Sequence, residues 1–465
     1  ERRVFFHPVN GAPEAMEVVA ADGGEITRIW EMTDLPAFFR DPDAPGRAEL
    51  APCVEVSSFS GWDEFARWYW RLIETQYHST PELLSLAREV SRKAANPMEM
   101  LIQAAEWVSR NIANREWEPG SYAFRPINAR SIMARLSADG KDRTLLLCLL
   151  AREFGLDAWP VLARQRNRRF PPDGSSSLPL PLLDHFNHSL AMVDAGSGGR
   201  ILLDAANPYR PPVVMPSRLS GSPGVALLSD SAVMVEIPEV GPAACEWEED
   251  ATLDVDEDGN GFWEEGIRGV GTAAEALRIR FKDADARSLA WNSHLSSLGG
   301  EPSAAWSEFS EDADEPSAAS FSGRARVGQI VYMRDERAIL KIPPLPGTSG
   351  AVASGQDFPL SLEEFSIVGV RSQDLILPHG FRMSRRIAVH FPEEWRLLNP
   401  VTSFRRAYGF GTISLSAEAS PGNLSMRFEM EVTGHRLPAA EFHGFREMAA
   451  MAKRWLNPVL IWEKP

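Results

Sequence analysis

Apolar residues change their spacing several times along this 465-residue chain, and each change predicts a different kind of element. From residue 1 to about 58 the apolar runs are short and strand-like, as in Val4-Phe5-Phe6 and Ile26-Thr27-Arg28-Ile29-Trp30, and prolines 42, 45 and 52 break the chain beyond them. From Trp62 the period becomes helical. Trp62, Phe65, Trp68, Tyr69 and Leu72 recur at three- and four-residue spacing and form one face of an amphipathic helix. Thr80-Pro81-Glu82 then opens a second helix, with an N-cap hydroxyl, a proline in the first turn and an acid near the positive end of the dipole. Asn96-Pro97 repeats the device ahead of a helix from Met98 to Ile112, and a short helix is expected over Ile132–Leu136.

The next helix, Lys141 to Phe154, is strongly apolar and stops at Gly155, which predicts a buried helix. Strands are expected at Ala158–Ala163, Ser189–Val193 and Arg200–Leu203, with an Arg-, Pro- and Ser-rich surface loop over Arg164–Pro181. Helices followed by a run of strands point to an α+β domain. Beyond about residue 240 alternation returns near Leu253, at Ile330–Tyr332, Ile339–Ile342, Ile387–Phe391 and Leu424–Val432. One helix is expected within Ala273–Leu298, a Ser/Ala/Glu-rich loop over Gly299–Ser322, and a closing helix over Ala439–Trp455. No internal repeat is visible.

Composition narrows the function classes. A chain this long should divide into two to four domains. Its 44% hydrophobic and 24% charged content is ordinary for a globular protein. A formal charge of −16 argues against nucleic acid, which requires clustered Lys and Arg, and against an anionic membrane surface. No run of about 18 apolar residues predicts a transmembrane helix. The chain begins Glu1-Arg2-Arg3, a start that a mature product or a trimmed fragment would share. Cys53, Cys148 and Cys245 are far apart, so neither a disulfide framework nor a zinc site is indicated.

Chemistry concentrates in one stretch. Ala138-Asp139-Gly140-Lys141-Asp142-Arg143-Thr144 opens the buried helix; Phe186-Asn187-His188-Ser189-Leu190 and Ile201-Leu202-Leu203-Asp204 lie at the ends of the strands beyond it. A loop, a buried helix, then strands bearing a His and an Asp is the papain-like order. There, a thiol at the helix N-terminus is activated by the dipole and an imidazole, and a carboxylate orients the imidazole.

These segments resemble those of bacterial transglutaminase-like proteins with flanking β-rich domains. That family carries Tyr-Gly-Asp-Cys-Lys-Asp-Lys, Phe-Asp-His and Leu-Asp motifs. The matching positions here read Ser137-Ala138-Asp139-Gly140-Lys141-Asp142-Arg143, Phe186-Asn187-His188 and Leu203-Asp204. The resemblance extends to Pro52–Phe59 with Trp62 and Trp68, to Asn111–Pro126, and to the closing Glu441-Phe442-His443-Gly444-Phe445-Arg446 segment. It implies a papain-like core over 60–238, preceded by the C-terminal part of a β-rich domain at 1–59 and followed by a β-sandwich-like domain with a closing helix at 239–465. Carried over by position, His188 is the base, Asp204 the orienting carboxylate, and the nucleophile position is Gly140.

A glycine cannot form an acyl-enzyme. Losing the nucleophile of a catalytic unit leaves only about 10³- to 10⁴-fold from binding and oxyanion stabilisation. Neighbouring motif positions have drifted too: Ser137, Ala138, Asn187 and Asn114 stand where the family has Tyr, Gly, Asp and Tyr. Cys148 is eight residues along the same helix, roughly 12 Å down its axis, and reads as apolar filler; Ser137 and Thr144 are no better placed. The resemblance therefore implies a pseudoenzyme, a binding or scaffolding protein with a protein partner or peptide-like ligand, with no cofactor and a periplasmic or secreted setting. A subunit of a larger complex is a further possibility. The competing expectation is an enzyme with residual or altered acyl transfer or amide hydrolysis through His188 and Asp204.

Four weaker signals have ordinary explanations. His188 and Asp204 satisfy each other if buried together. His185 with His188, Asp184 and Asp204 has poor geometry for a metal, since residues three apart on a strand face opposite sides. Asp254–Glu265 matches the spacing of an EF-hand loop, yet Asp258-Gly259 inside strand-like alternation favours a β-hairpin with an acidic tip. Arg164, Arg166, Arg168 and Arg169 read as a solvated loop or as a dock for an acidic partner.

Overall fold

The computed structural model describes residues 3–19, 26–115, 124–166, 177–196, 199–312, 314–343 and 369–464. The chain is mixed α and β and divides into two compact units, Glu1–Glu239 and Val240–Pro465.

In the first unit, β1 (Phe5–Val9) pairs antiparallel with β4 (Cys53–Ser57), while β2 (Met16–Val19) and β3 (Ile26–Ile29) form a separate ribbon. Helices α1 (Trp62–Ile73), α2 (Pro81–Lys93) and α3 (Pro97–Asn111) come next. The caps read from the sequence are formed: Thr80 accepts from the Leu83 amide at 3.2 Å and Asn96 from the Glu99 amide at 2.9 Å. Helix α4 (Ala129–Arg135) begins three residues earlier than expected, because Asn128 caps it through the Ser131 amide.

Helix α5 (Gly140–Glu153) is buried continuously from Asp142 to Ala151. Its all-round apolar surface reflects its place: α2 and α3 cover one side with Leu83, Leu86, Leu101 and Val108, and the strands cover the other with Ala158, Ala191, Val193 and Leu203. Those strands are β5 (Asp157–Ala163), β6 (His188–Asp194) and β7 (Arg200–Leu203). Two strands that the sequence pattern did not single out, β8 (Pro223–Leu227) and β9 (Ala232–Glu236), complete an antiparallel five-stranded sheet in the order β9-β8-β5-β6-β7.

The second unit is built on an eight-stranded sheet. Its strands are β10 (Glu246–Val255), β11 (Gly261–Val270), β12 (Glu301–Glu311), β13 (Ala318–Gly328), β14 (Phe381–His390), β15 (Phe404–Tyr408), β16 (Gly411–Ser420) and β17 (Asn423–Val432), in the order β12-β13-β11-β10-β14-β17-β16-β15. Only β10 and β14 pair in parallel. Strand β12 and the first half of β13, to residue 322, therefore correct the expected loop over Gly299–Ser322. The expected single helix is two, α6 (Thr272–Phe281) and α7 (Ala284–Ser296), because Asp283 caps a new start through the Asp285 and Ala286 amides. One face of the sheet is buried under α6, α7, the closing helix α8 (Phe442–Leu456) and a four-stranded sheet that contains Val331–Arg334, Arg337–Lys341 and Val459–Glu463. The cover is thus part helix and part sheet, rather than a second sheet of matching size.

The acidic stretch after Leu253 is the tip of the β10–β11 hairpin. Asp256 accepts the amides of Asp258 and Asn260 at 3.0 and 2.9 Å, and Gly259 takes a φ of +79°, so the carboxylate nearest the turn is used to close it.

Candidate functional site

Position 140 is the first residue of α5. Asp139 precedes it as N-cap and accepts the Asp142 amide at 3.1 Å, while Asp142 accepts the Asp139 amide at 3.4 Å, a reciprocal capping box. Asp142 is fully buried and also accepts the Ile127 amide at 2.9 Å. Lys141 pairs with Asp139. Gly140 is not held at a positive φ, and a Cβ built on it would meet nothing within 4 Å. Neither backbone nor packing requires glycine there.

His188 opens β6, opposite Ala163 at the end of β5. The residue before it is clasped: the Asn187 side-chain amide donates to the Gln165 carbonyl at 2.9 Å and accepts the Gln165 amide at 2.7 Å. An aspartate could accept there but not donate, which gives Asn187 a structural reason. Upstream, Trp62 Nε1 donates to the Leu178 carbonyl at 3.0 Å and Ser57 to the Pro181 carbonyl at 2.8 Å, tying the approach to His188 onto α1 and β4.

His188 Nε2 lies 3.1 Å from Asp204 Oδ2, and the His188 side chain keeps 14% of its surface exposed. Asp204 sits just past β7 and is 2% exposed. Its Oδ1 accepts the Ala206 amide at 2.8 Å, and Oδ2 also receives Arg210 at 2.7 Å. Burial pushes this carboxyl's pKa up, but the His188 and Arg210 charges and the hydrogen bonds outweigh it and hold the group below the usual carboxylate range. The bond through Nε2 leaves Nδ1 as the nitrogen for any substrate or nucleophile. Among the described residues, Asp204 is the ring's only hydrogen-bond partner.

The link between the helix start and this pair is Arg143, one turn into α5 and almost fully buried. One guanidinium nitrogen donates to the carbonyls of Ala205 and Ala206, each at 2.9 Å, and another to the Ile112 carbonyl at 2.6 Å. It thereby fastens the first turn of α5 to the segment that begins at Asp204. Arg143 and Arg210 were invisible as site residues in the sequence, since their partners are either carbonyls or a carboxylate chosen by the fold.

Other groups considered from the sequence are committed elsewhere. Cys148 is fully buried and its thiol is pushed up to about 12 by that burial. Thr144 donates its hydroxyl to the Gly140 carbonyl at 3.0 Å. His185 is buried with Nε2 at 3.1 Å from the Leu180 carbonyl, and burial lowers its pKa. The rings of His185 and His188 thus address different partners. Arg166 is not solvated: it donates to the carbonyls of Ser220 at 2.6 Å and Ser217 at 2.9 Å, and Arg164 is mostly buried, whereas Arg168 and Arg169 lie outside the described residues. Two of the four arginines are therefore packed against the protein, which corrects the reading of a solvated basic cluster.

No protein-family model matches the chain, and no curated protein does. A solved structure does: the crystal structure of a "putative protease" from Parabacteroides distasonis aligns with a TM-score of 0.62 at 13% identity, covering 99% of this chain and 70% of that one. At that identity the likeness is one of fold. This chain shares the mixed α and β architecture of that structure.

Proposed function

We propose that the first unit is a transglutaminase-like, papain-type core that has lost its nucleophile, and that the protein acts as a binding or scaffolding pseudoenzyme for a protein partner or peptide-like segment. The observation that carries this reading is the pairing of His188 with a buried, ionised Asp204 in a chain whose matching helix N-terminus holds Gly140. The arrangement keeps the base and its orienting group but offers no atom to attack a carbonyl. The absence of a thiol or hydroxyl hydrogen-bonded to His188 among the described residues, the burial of Cys148 and the use of the Thr144 hydroxyl all weigh against substitution by another nucleophile.

Assays of amide hydrolysis and transamidation on the wild type, Gly140→Cys and His188→Ala test the proposal. The wild type should show no turnover above the buffer. Reproducible wild-type turnover that disappears in His188→Ala would refute it. Mass photometry of natively isolated material addresses the scaffolding role, and a clean 51.5 kDa monomer would count against membership of a larger complex.

A further inference from the structure

The Asp204 carboxylate has one oxygen with two claimants. Arg210 Nη2 and His188 Nε2 both address Oδ2, at 2.7 and 3.1 Å, while Oδ1 is taken by the Ala206 amide. The chain arranges this by a short return. The Asp204 amide donates to the Pro212 carbonyl at 2.9 Å, the Asn207 side chain accepts the Tyr209 amide at 2.9 Å, and the loop so closed turns the Arg210 guanidinium back onto the carboxylate. Arg210 and Asp204 are both at least nine-tenths buried, so water does little to screen their pairing.

In a working Cys–His–Asp unit the carboxylate's charge supports the imidazolium that forms when the thiol gives up its proton. A guanidinium stays charged at any working pH and binds carboxylates more strongly than a neutral donor. Placed on the same oxygen, it neutralises that charge where the imidazole would use it. We propose that Arg210 is a positioning residue that holds Asp204 for the fold at the expense of His188, so that the site carries a second impediment to thiol chemistry besides the missing nucleophile. This rests on the assignment of positions 140, 188 and 204 to one former catalytic unit. The step concerned is a single proton transfer: Sγ–H of a cysteine placed at 140 gives its proton to His188 Nδ1, leaving thiolate and imidazolium. Iodoacetamide then reads the thiolate, as the S–C bond forms and iodide leaves.

The experiment tracks alkylation of a cysteine at 140 between pH 5 and 9 by peptide mass mapping, which separates it from Cys53, Cys148 and Cys245. The proteins are Gly140→Cys alone and the same protein with Arg210→Met, Arg210→Lys or His188→Ala, plus Gly140→Cys/Arg210→Met/His188→Ala. Removing a cation hydrogen-bonded to the orienting carboxylate should raise the rate near pH 6 by roughly tenfold in Arg210→Met. Arg210→Lys should stay near Gly140→Cys alone, and adding His188→Ala to Arg210→Met should abolish the gain. If Arg210→Met does not fold, Arg210→Gln, an uncharged donor, takes its place. Equal rates in the Met or Gln and Lys variants, with His188→Ala still slowing alkylation, would overturn the role of Arg210 alone. Rates indifferent to His188→Ala in every background would overturn instead the pairing of positions 140 and 188.

Discussion

Each unit of this protein buries a cluster of histidine, carboxylate and arginine, and the two clusters differ in everything except residue type. In the first unit His188, Asp204 and Arg210 meet at a strand start and a loop, with the imidazole partly exposed. In the second, Arg385, Glu249, Glu265 and His294 are sealed within the core. Arg385 and Glu249 are register partners on β14 and β10 and form a two-point pair at 2.7 and 3.1 Å; Glu265 lies on β11 and meets His294 of α7 at 3.0 Å. Arg385 also donates to the carbonyls of Leu456 and Pro343, and Trp263 donates to Glu265 at 3.3 Å. A His–carboxylate–Arg set is therefore no signature of function. In the core of a sheet it is a closed charge network, whereas the first cluster keeps an imidazole open to solvent, and that is what makes it a candidate site.

The largest expected effect tests that difference directly. Arg385→Met removes the buried guanidinium that donates to Glu249 and to the carbonyls of Leu456 and Pro343, leaving those acceptors unpaired in the core, and should cost the second unit about 3–5 kcal/mol in urea unfolding, or prevent its folding. A cost as small as that of removing His188 would erase the distinction between the clusters.

Next is pH. Burial raises the Glu249 pKa well above the ordinary value, Arg385 only partly opposing it and Glu265 adding to it, so folding holds a proton that the unfolded chain releases. The stability contributed is complete below the ordinary Glu range and is lost as pH rises through the folded value, with a slope of at most about 1.4 kcal/mol per pH unit. Glu249→Gln should flatten that decline in denaturation midpoints measured from pH 5 to 9. Asp204 behaves oppositely: its folded pKa is depressed, so its contribution is present above the ordinary Asp range and fades only as pH falls below it. Asp204→Asn should remove this acid-side loss and leave the alkaline side unchanged.

Smaller still is His188→Ala, which leaves Asp204 with Arg210 and the Ala206 amide and should cost about 1 kcal/mol in urea unfolding. Smallest, and opposite in sign, is Gly140→Ala. With no positive φ and open space around the new Cβ, it should stabilise by about 0.4–1 kcal/mol. A destabilisation would mean that glycine is held there by something not visible in the local packing.

The misreadings share a cause. Residues 301–311 form the edge strand β12, exposed on both faces for most of its length, so no alternation marks it. Residues 318–328 place Ala and Gly where a core strand would usually carry larger side chains, because α7 fills the space above them; a Cβ on Gly323 would sit 2.7 Å from the Trp291 ring. Small residues chosen by a neighbour read, in isolation, as loop composition. The basic cluster misled for a related reason, as Arg166 finds its carbonyls more than 50 residues away. By contrast the starts at Thr80 and Asn96, the burial of α5 and the Asp258-Gly259 turn were legible, since each depends on residues within one or a few turns of chain.

Identity and short-range bonding were thus settled by the sequence alone: where α2 and α3 begin, that residue 140 has no side chain, and that His188 and Asp204 stand at strand ends. Tertiary structure decided which groups those residues would meet. Arg143 reaches 62 residues along the chain to Ala205, and Arg210 returns to an oxygen that His188 also addresses. A capping bond closes over three residues and is set by their types, whereas a buried guanidinium takes whichever acceptors the packed chain presents to it.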